Sequence, residues 1–441
     1  MTLAVVAAPA LASADETKST LVDHPDDARV YVGGQANAIL QGHPSFHAAY
    51  SGPNSLRPDA EAITSYVFTL FFGVAITRTT ELWFDGEMAA GGGISSALGL
   101  AGFTNLDVVR NPSLGSDPYP ARFFLRQIIP LSHVDEDAPR QNLSMATRVP
   151  DERIEIHAGK LSTVDFFDQN AVASDSHRQF MNWTVDDTGS YDYAADTRGY
   201  TYGVEAELVA PRVTLRVGEM MMPSVANGLE MDTHLDTARG EQVEVDLASP
   251  LLRGRAGALR LLGFVNHADM GSYAEAIDAF LAHDDRVPDI TAHRKAGRVK
   301  YGLALSADQE LGRGVRVFLR AGWNDGHTES FAYTEVDDTL ALGGDVRGLA
   351  WKRPNDKIGI AFVTNGISAL HRRYLALGGQ GFLLGDGALD YGRETLLETY
   401  YDALLYRGVS AAFDTQLVAN PGYDEARGPV PVFSLRVHVE I

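Results

Sequence analysis

The sequence predicts an all-β chain: a 16-stranded antiparallel transmembrane β-barrel with short periplasmic turns and long extracellular loops. Three observations lead there. Apolar and polar residues alternate with period two in segment after segment. The basic residues of those segments keep off the apolar face, as a lipid-facing band requires. The links between segments alternate between tight and long. A spanning helix is excluded, because the longest apolar stretch, around Tyr66 to Ile76, falls far short of the ~18 residues one needs.

Taken in order, residues 29–39 set Val30, Val32, Ala36 and Ala38 against Tyr31, Gln35 and Asn37. Residues 64–77 put Tyr66, Phe68, Leu70, Phe72, Val74 and Ile76 on one face. In 79–90 the inward set is Glu81, Trp83, Asp85 and Glu87. In 120–131, Arg122, Phe124 and Arg126 oppose Phe123, Leu125 and Ile129. Residues 152–161 oppose Arg153, Glu155 and His157 to Ile154, Ile156 and Ala158. Strands follow at 198–209, 211–221, 241–248 and 256–266. In 297–306, Val299, Tyr301, Leu303 and Leu305 face away from Arg298, Lys300 and Ser306. In 313–323, Val315, Val317, Leu319, Ala321 and Trp323 face away from Arg316 and Arg320. Strands at 338–349, 356–364, 393–406 and 409–418 precede the last, 430–441, where Phe433, Leu435, Val437, Val439 and Ile441 oppose Ser434, Arg436, His438 and Glu440. On this reading arginine is costly at Leu435 or Val437 and tolerated at Ser434 or His438.

Tight links are expected around Arg78, Ala210, Ala307 to Gly312, and Arg407 to Gly408, and the others run to about twelve to thirty-five residues. The exception is 132–151, which falls where a short turn belongs. The apolar opening with Ala12, Ser13 and Ala14 before two acids reads as a signal-peptide remnant over 1–14, leaving 15–441 as a single barrel domain. No cysteine is present, which removes disulfides and thiol chemistry, and a formal charge of −21 makes nucleic acid an improbable partner.

Several blocks resemble the carbohydrate-selective outer-membrane porins of the OprB type: HPSFHAAYSGPNSL at 43–56, RFFLRQ at 122–127, AGKLSTVDFFDQN at 158–170, FMNWTVDDTGSYDYAADTRGYTYG at 180–203, RPNDKIGIAF at 353–362, and the C-terminal stretch LLETYYDALLYRGVSAAFDTQLVANPGYDEARGPVPVFSLRVHVEI. Glu398 to Tyr401, then Gln416, Asn420, Pro421 and Gly422, then Arg436, carry the most specific part. One departure is the terminal Ile441, where such barrels usually end in an aromatic residue. The resemblance implies a sixteen-stranded barrel in the outer membrane of a Gram-negative bacterium, passive diffusion of mono- and small oligosaccharides, no cofactor, and outer-membrane lipid and lipopolysaccharide as surroundings, in a monomer or a homotrimer. The alternatives are a barrel of the same build for small carboxylates and a secreted all-β carbohydrate-binding protein.

A diffusion channel acts through the residues at its constriction. The candidate pore-lining set is Glu81, Trp83, Asp85, Arg122, Phe124, Arg126, Arg153, Glu155, Arg316, Arg320 and Glu398, with His157 and Asp402 beside them. Facing acids and bases would set a transverse field across an eyelet, and aromatic faces would receive the C–H faces of sugars. The long, aromatic and acidic 162–197 segment either folds into the barrel as the constriction or caps it from outside. Asp284, Asp285 and Asp289 are a candidate cation cluster near lipopolysaccharide, with a solvated surface as the plainer reading. Enzyme signatures fail: Gly93, Ser95 and Ala97 lack a strand-turn-helix context, and no phosphate loop or zinc motif occurs.

Overall fold

The computed structural model describes residues 20–441 apart from 26, 110, 112, 113, 249, 250 and 253, so the expected signal remnant at 1–14 lies outside the described residues. Sixteen antiparallel strands close into a barrel: β1 (Val30–His43), β2 (Glu61–Ala75), β3 (Thr80–Gly91), β4 (Tyr119–Pro130), β7 (Arg153–Leu161), β8 (Thr201–Ala210), β9 (Val213–Met221), β10 (Arg239–Leu247), β11 (Gly257–Met270), β12 (Lys295–Gly312), β13 (Val315–Asn324), β14 (Asp338–Gly348), β15 (Arg353–Gly366), β16 (Glu394–Tyr406), β17 (Val409–Ala419) and β18 (Val430–Glu440). Each pairs with its neighbour in sequence, except that β4 pairs with β7 across a separate two-stranded hairpin, β5 (Asp135–Asp137) with β6 (Arg148–Pro150). Closure comes from β1 against β18, with Ala36 opposite Val439 and Leu40 opposite Leu435.

The alternation sets the facing. Leu70, Leu303 and Leu435 on the outer face are 70, 62 and 56 % exposed, whereas Asp85, Arg320 and Arg436 on the inner face are at most 1 % exposed. A sheet whose apolar side chains point out and whose ion pairs point in is stable only with hydrocarbon around it. Among the described residues no helix is long and apolar enough to cross a membrane.

The start of β1, the end of β18 and seven links, all short except 131–152, share one end of the barrel, and the other eight connections share the opposite end. One of three two-residue turns, Arg313–Gly314, has both central residues at positive φ, the geometry that matches the twist of paired strands and that glycine adopts without strain. The tight link expected over 307–312 is instead strand. β12 runs on to Gly312 and pairs with β13 up to a bulge at Glu310. Its broken alternation reads as a loop because the polar Gln309 falls on the parity of Leu303 and Leu305, where its amide bonds the Ala256 and Glu310 carbonyls.

At the loop end, helices α2 (Tyr273–Leu281) and α3 (Ala369–Ala376) pack Tyr273 on Tyr374 at 5.2 Å and on His371 at 4.4 Å, over a small apolar core with Ile277, Ile290 and Leu375. Asp289 caps the Thr291 turn and Asp285 pairs with His293 at 2.9 Å, so these acids hold a loop together.

Candidate functional site

The connection between β7 and β8 folds into the barrel. It leaves β7 through a Ser162/Asp165 capping box and runs to Tyr200, continuously buried from Gln179 to Thr197, with a single-turn helix, α1 (Trp183–Asp186), capped by the Asn182 side chain. A chain inside a barrel must satisfy its backbone groups there, and the wall supplies the partners. Arg320 donates to the carbonyls of Asp168 and Val185, both at 2.6 Å, to that of Ala173, and to Ser174 Oγ at 2.8 Å. Glu398 accepts from the amides of Met181 (2.6 Å) and Asn182 (3.3 Å), and Glu244 from that of Asp168 (2.8 Å). Lys300 pairs with Asp192 at 2.9 Å with both side chains buried. Arg178 pairs with Asp402 at 2.9 Å, and Arg436 donates to the Ser176 and Gln179 carbonyls.

All of these wall partners lie on β10 to β18, so the segment fills that half of the lumen. The other half stays open as a cavity of about 1410 Å³, whose lining from the barrel strands comes from β1 to β4 and β7 to β9. Arg122, Arg126, Arg153 and Glu155 line it. Glu81, Trp83, Asp85 and Phe124 point inward on the same strands but sit behind the lining, at most 2 % exposed. Arg316, Arg320 and Glu398 belong to the filled half: Arg316 is bound to Asp345, and the other two anchor the inserted segment.

The expected field between acids and bases facing each other across the lumen gives way to pairing within the wall. Strand register sets Glu81 opposite Arg126 and Asp85 opposite Arg122, each pair at 3.2 Å. Arg126 also binds Glu155 at 2.7 Å, Arg153 binds Glu155 and Glu136, and Arg122 binds Asp165 at 2.6 Å. Glu205 is held by His157 at 2.7 Å, and Glu207 by Arg216 at 2.8 Å. Sequence reasoning passed over Arg216, Glu244 and Asp192. Arg216 and Glu244 each gave a signal, through inward parity between Leu215 and Val217 and between Val243 and Val245.

Across the cavity the segment presents Trp183, Asp186, Asp187 and Tyr193, with Tyr333 from the β13–β14 connection. Trp183 stacks on Tyr333 at 5.5 Å with rings 6° apart, and Tyr193 meets Tyr333 at 4.7 Å. Burial, reinforced by nearby Asp168, pushes the Asp187 carboxyl up to about 7 despite Arg320. Elsewhere on the wall of the cavity, His177 pairs with Asp107 of the β3–β4 connection at 3.0 Å and stacks on His438. Burial disfavours charge on both partners, but their mutual attraction prevails, holding the His177 ring above its usual range and the Asp107 carboxyl below.

The sequence matches the family model for carbohydrate-selective porins, OprB family, over residues 33–441. The chain belongs to this family. The porin resembles the high-pH structure of Pseudomonas putida OprB, with 14% identity over 93% of this chain and 94% of that one and a TM-score of 0.70. It also resembles the outer membrane channel DcaP of Acinetobacter baumannii, with 10% identity over 93% and 97% of the two chains and a TM-score of 0.53. At such identities these likenesses concern the fold. No curated protein matches the chain by sequence. The porin is an outer-membrane channel of the Gram-negative envelope, its loop end extracellular and its turn end periplasmic.

Proposed function

We propose that small sugars diffuse through this porin along the half-lumen bounded by β1–β4 and β7–β9, with Arg122, Arg126, Arg153 and Glu155 as its wall and the inserted segment as its constriction. The observation that carries this is the cavity lined by both. The wall arginines are neutralised by their own carboxylates, and acids outnumber arginines in the lining. An anionic solute therefore meets no net positive field, which disfavours small carboxylates as the preferred cargo. A neutral polyol can exchange its water hydrogen bonds for these fixed donors and acceptors and lay its C–H faces on Trp183, Tyr193 and Tyr333. Glu81, Trp83, Asp85 and Phe124 support the lining from behind, while Arg316, Arg320 and Glu398 hold the filled half. The role is passage without covalent chemistry, in a barrel whose apolar outer face contacts lipid.

Liposome swelling tests this. Reconstituted porin should admit mono- and disaccharides faster than amino acids or organic acids of equal size; equal or faster entry of organic acids would refute the sugar reading.

A further inference from the structure

β4 and β7 pair directly, Pro130 opposite Arg153, so a two-residue turn would suffice to join them. The chain instead spends residues 131–152 there, at the periplasmic end, where other connections are as short as Arg313–Gly314. This extra length is ordered. Its stem is the β5–β6 hairpin, and its tip, from Gln141 to Ser144, is a tight turn closed by reciprocal backbone bonds of 3.0 and 3.1 Å. The tip enters the lumen and is fastened there: the Glu81 carboxylate accepts from the amides of Met145 (3.1 Å) and Ala146 (3.0 Å), Arg126 donates to Ser144 Oγ at 2.9 Å, and Tyr31 donates to Asn142 Oδ1 at 2.6 Å. Arg140 clamps it to the start of β1 and the residues just before it, through the Val30 and Ala28 carbonyls.

Glu81 and Arg126, read from the sequence as eyelet charges, therefore also hold this insertion. Its residues Pro139 to Ser144 line the same cavity as Asp186, Asp187 and Tyr333. The cavity is thus narrowed from both ends, by an extracellular connection on one side and a periplasmic one on the other.

We propose that the 131–152 insertion is a second selectivity filter, at the periplasmic mouth, with the exposed amide of Gln141 as a group that meets the solute on its way out. The inference rests on the permeation path proposed above and adds an exit filter to it.

The test replaces residues 131–152 by Asn-Gly in the full chain and compares single-channel conductance and liposome swelling with the unaltered porin. Conductance should rise by about twofold and trisaccharides should enter faster, because a constriction in series has been removed. Unchanged conductance and an unchanged size cut-off overturn the filter. Should the shortened chain fail to insert, Gln141→Cys serves in its place, since the chain has no other cysteine. A charged, membrane-impermeant methanethiosulfonate should lower the current stepwise, faster from the periplasmic side. Failure to label, or labelling with the current unchanged, overturns the proposal. These current measurements stand whichever solute the porin prefers, whereas swelling of the unaltered porin that favours organic acids would refute the sugar reading alone.

Discussion

Arg122 grips the carboxylate of Asp165 through two hydrogen bonds, 2.7 Å from Nε and 2.6 Å from Nη2, and so joins a wall strand to the root of the inserted segment. The same guanidinium reaches Asp85 on the next strand at 3.2 Å. A wall charge here sets both the shape of the lumen and its potential.

Arg122→Ala should cost about 1–3 kcal/mol, the penalty for leaving largely buried carboxylates without their charged donor. The root of the segment then loosens and two acids lose their counter-charge. Planar bilayers should show higher conductance, more current noise and a reversal potential shifted toward cations. Unchanged values on all three counts would detach Arg122 from the constriction.

The Arg320 guanidinium is fully buried and bonds three carbonyls and a hydroxyl of the segment. Arg320→Met removes the donors and strands those acceptors, at a cost of about 3–5 kcal/mol by analogy with a broken buried ion pair. The segment should become cleavable between 168 and 187 by protease added from the extracellular side, while the barrel itself stays resistant. Resistance throughout would mean that the segment holds without this anchor.

Facing is tested by arginine at Val437, an outward position, and at Gln35, an inward residue that lines the cavity. Val437→Arg should destabilise by ~2–4 kcal/mol near the bilayer midplane, and Gln35→Arg by much less, in a refolding titration. Ser434 and His438, which alternation alone marks as tolerant, are unsuitable controls: both point inward and are at most 4 % exposed, Ser434 accepting from Gln41 and His438 stacked under His177.

The His177–Asp107 pair should make the constriction pH-dependent. His177 titrates higher in the folded porin, so its contribution is complete below its unfolded value and is lost as pH rises through the raised one. Asp107 titrates lower, so its contribution is present above its unfolded value and is lost as pH falls through the depressed one. The link is tightest at mildly acidic pH. Current noise should grow as pH is raised from about 6 to about 9, and His177→Gln should abolish that trend. The same rise in the variant would assign it to another group.

The strands were legible because lipid on one side and water or charge on the other impose a strict period of two, so Leu435 and Arg436 declare their faces without any partner being known. The roles of the inward charges were not. Glu81 binds Arg126 because of strand register, and Arg320 binds backbone carbonyls, whose positions no side-chain pattern encodes. The 162–197 segment showed by its length and aromatic content that it did more than connect; which half of the barrel it fills depends on anchors scattered from Glu244 to Arg436.

That half-filled lumen is the central claim, and single cysteines in this cysteine-free chain test it most directly. Glu87 lines the open half; Ser306 lies in the filled half, 3 % exposed, beneath Asn170 of the segment. With reconstituted porin and a membrane-impermeant thiol reagent, Glu87→Cys should react rapidly and lower the conductance, while Ser306→Cys should stay unmodified until the barrel is unfolded. Rapid reaction at 306, with a matching loss of current and none at 87, would place the channel on the other side of the barrel and contradict the account.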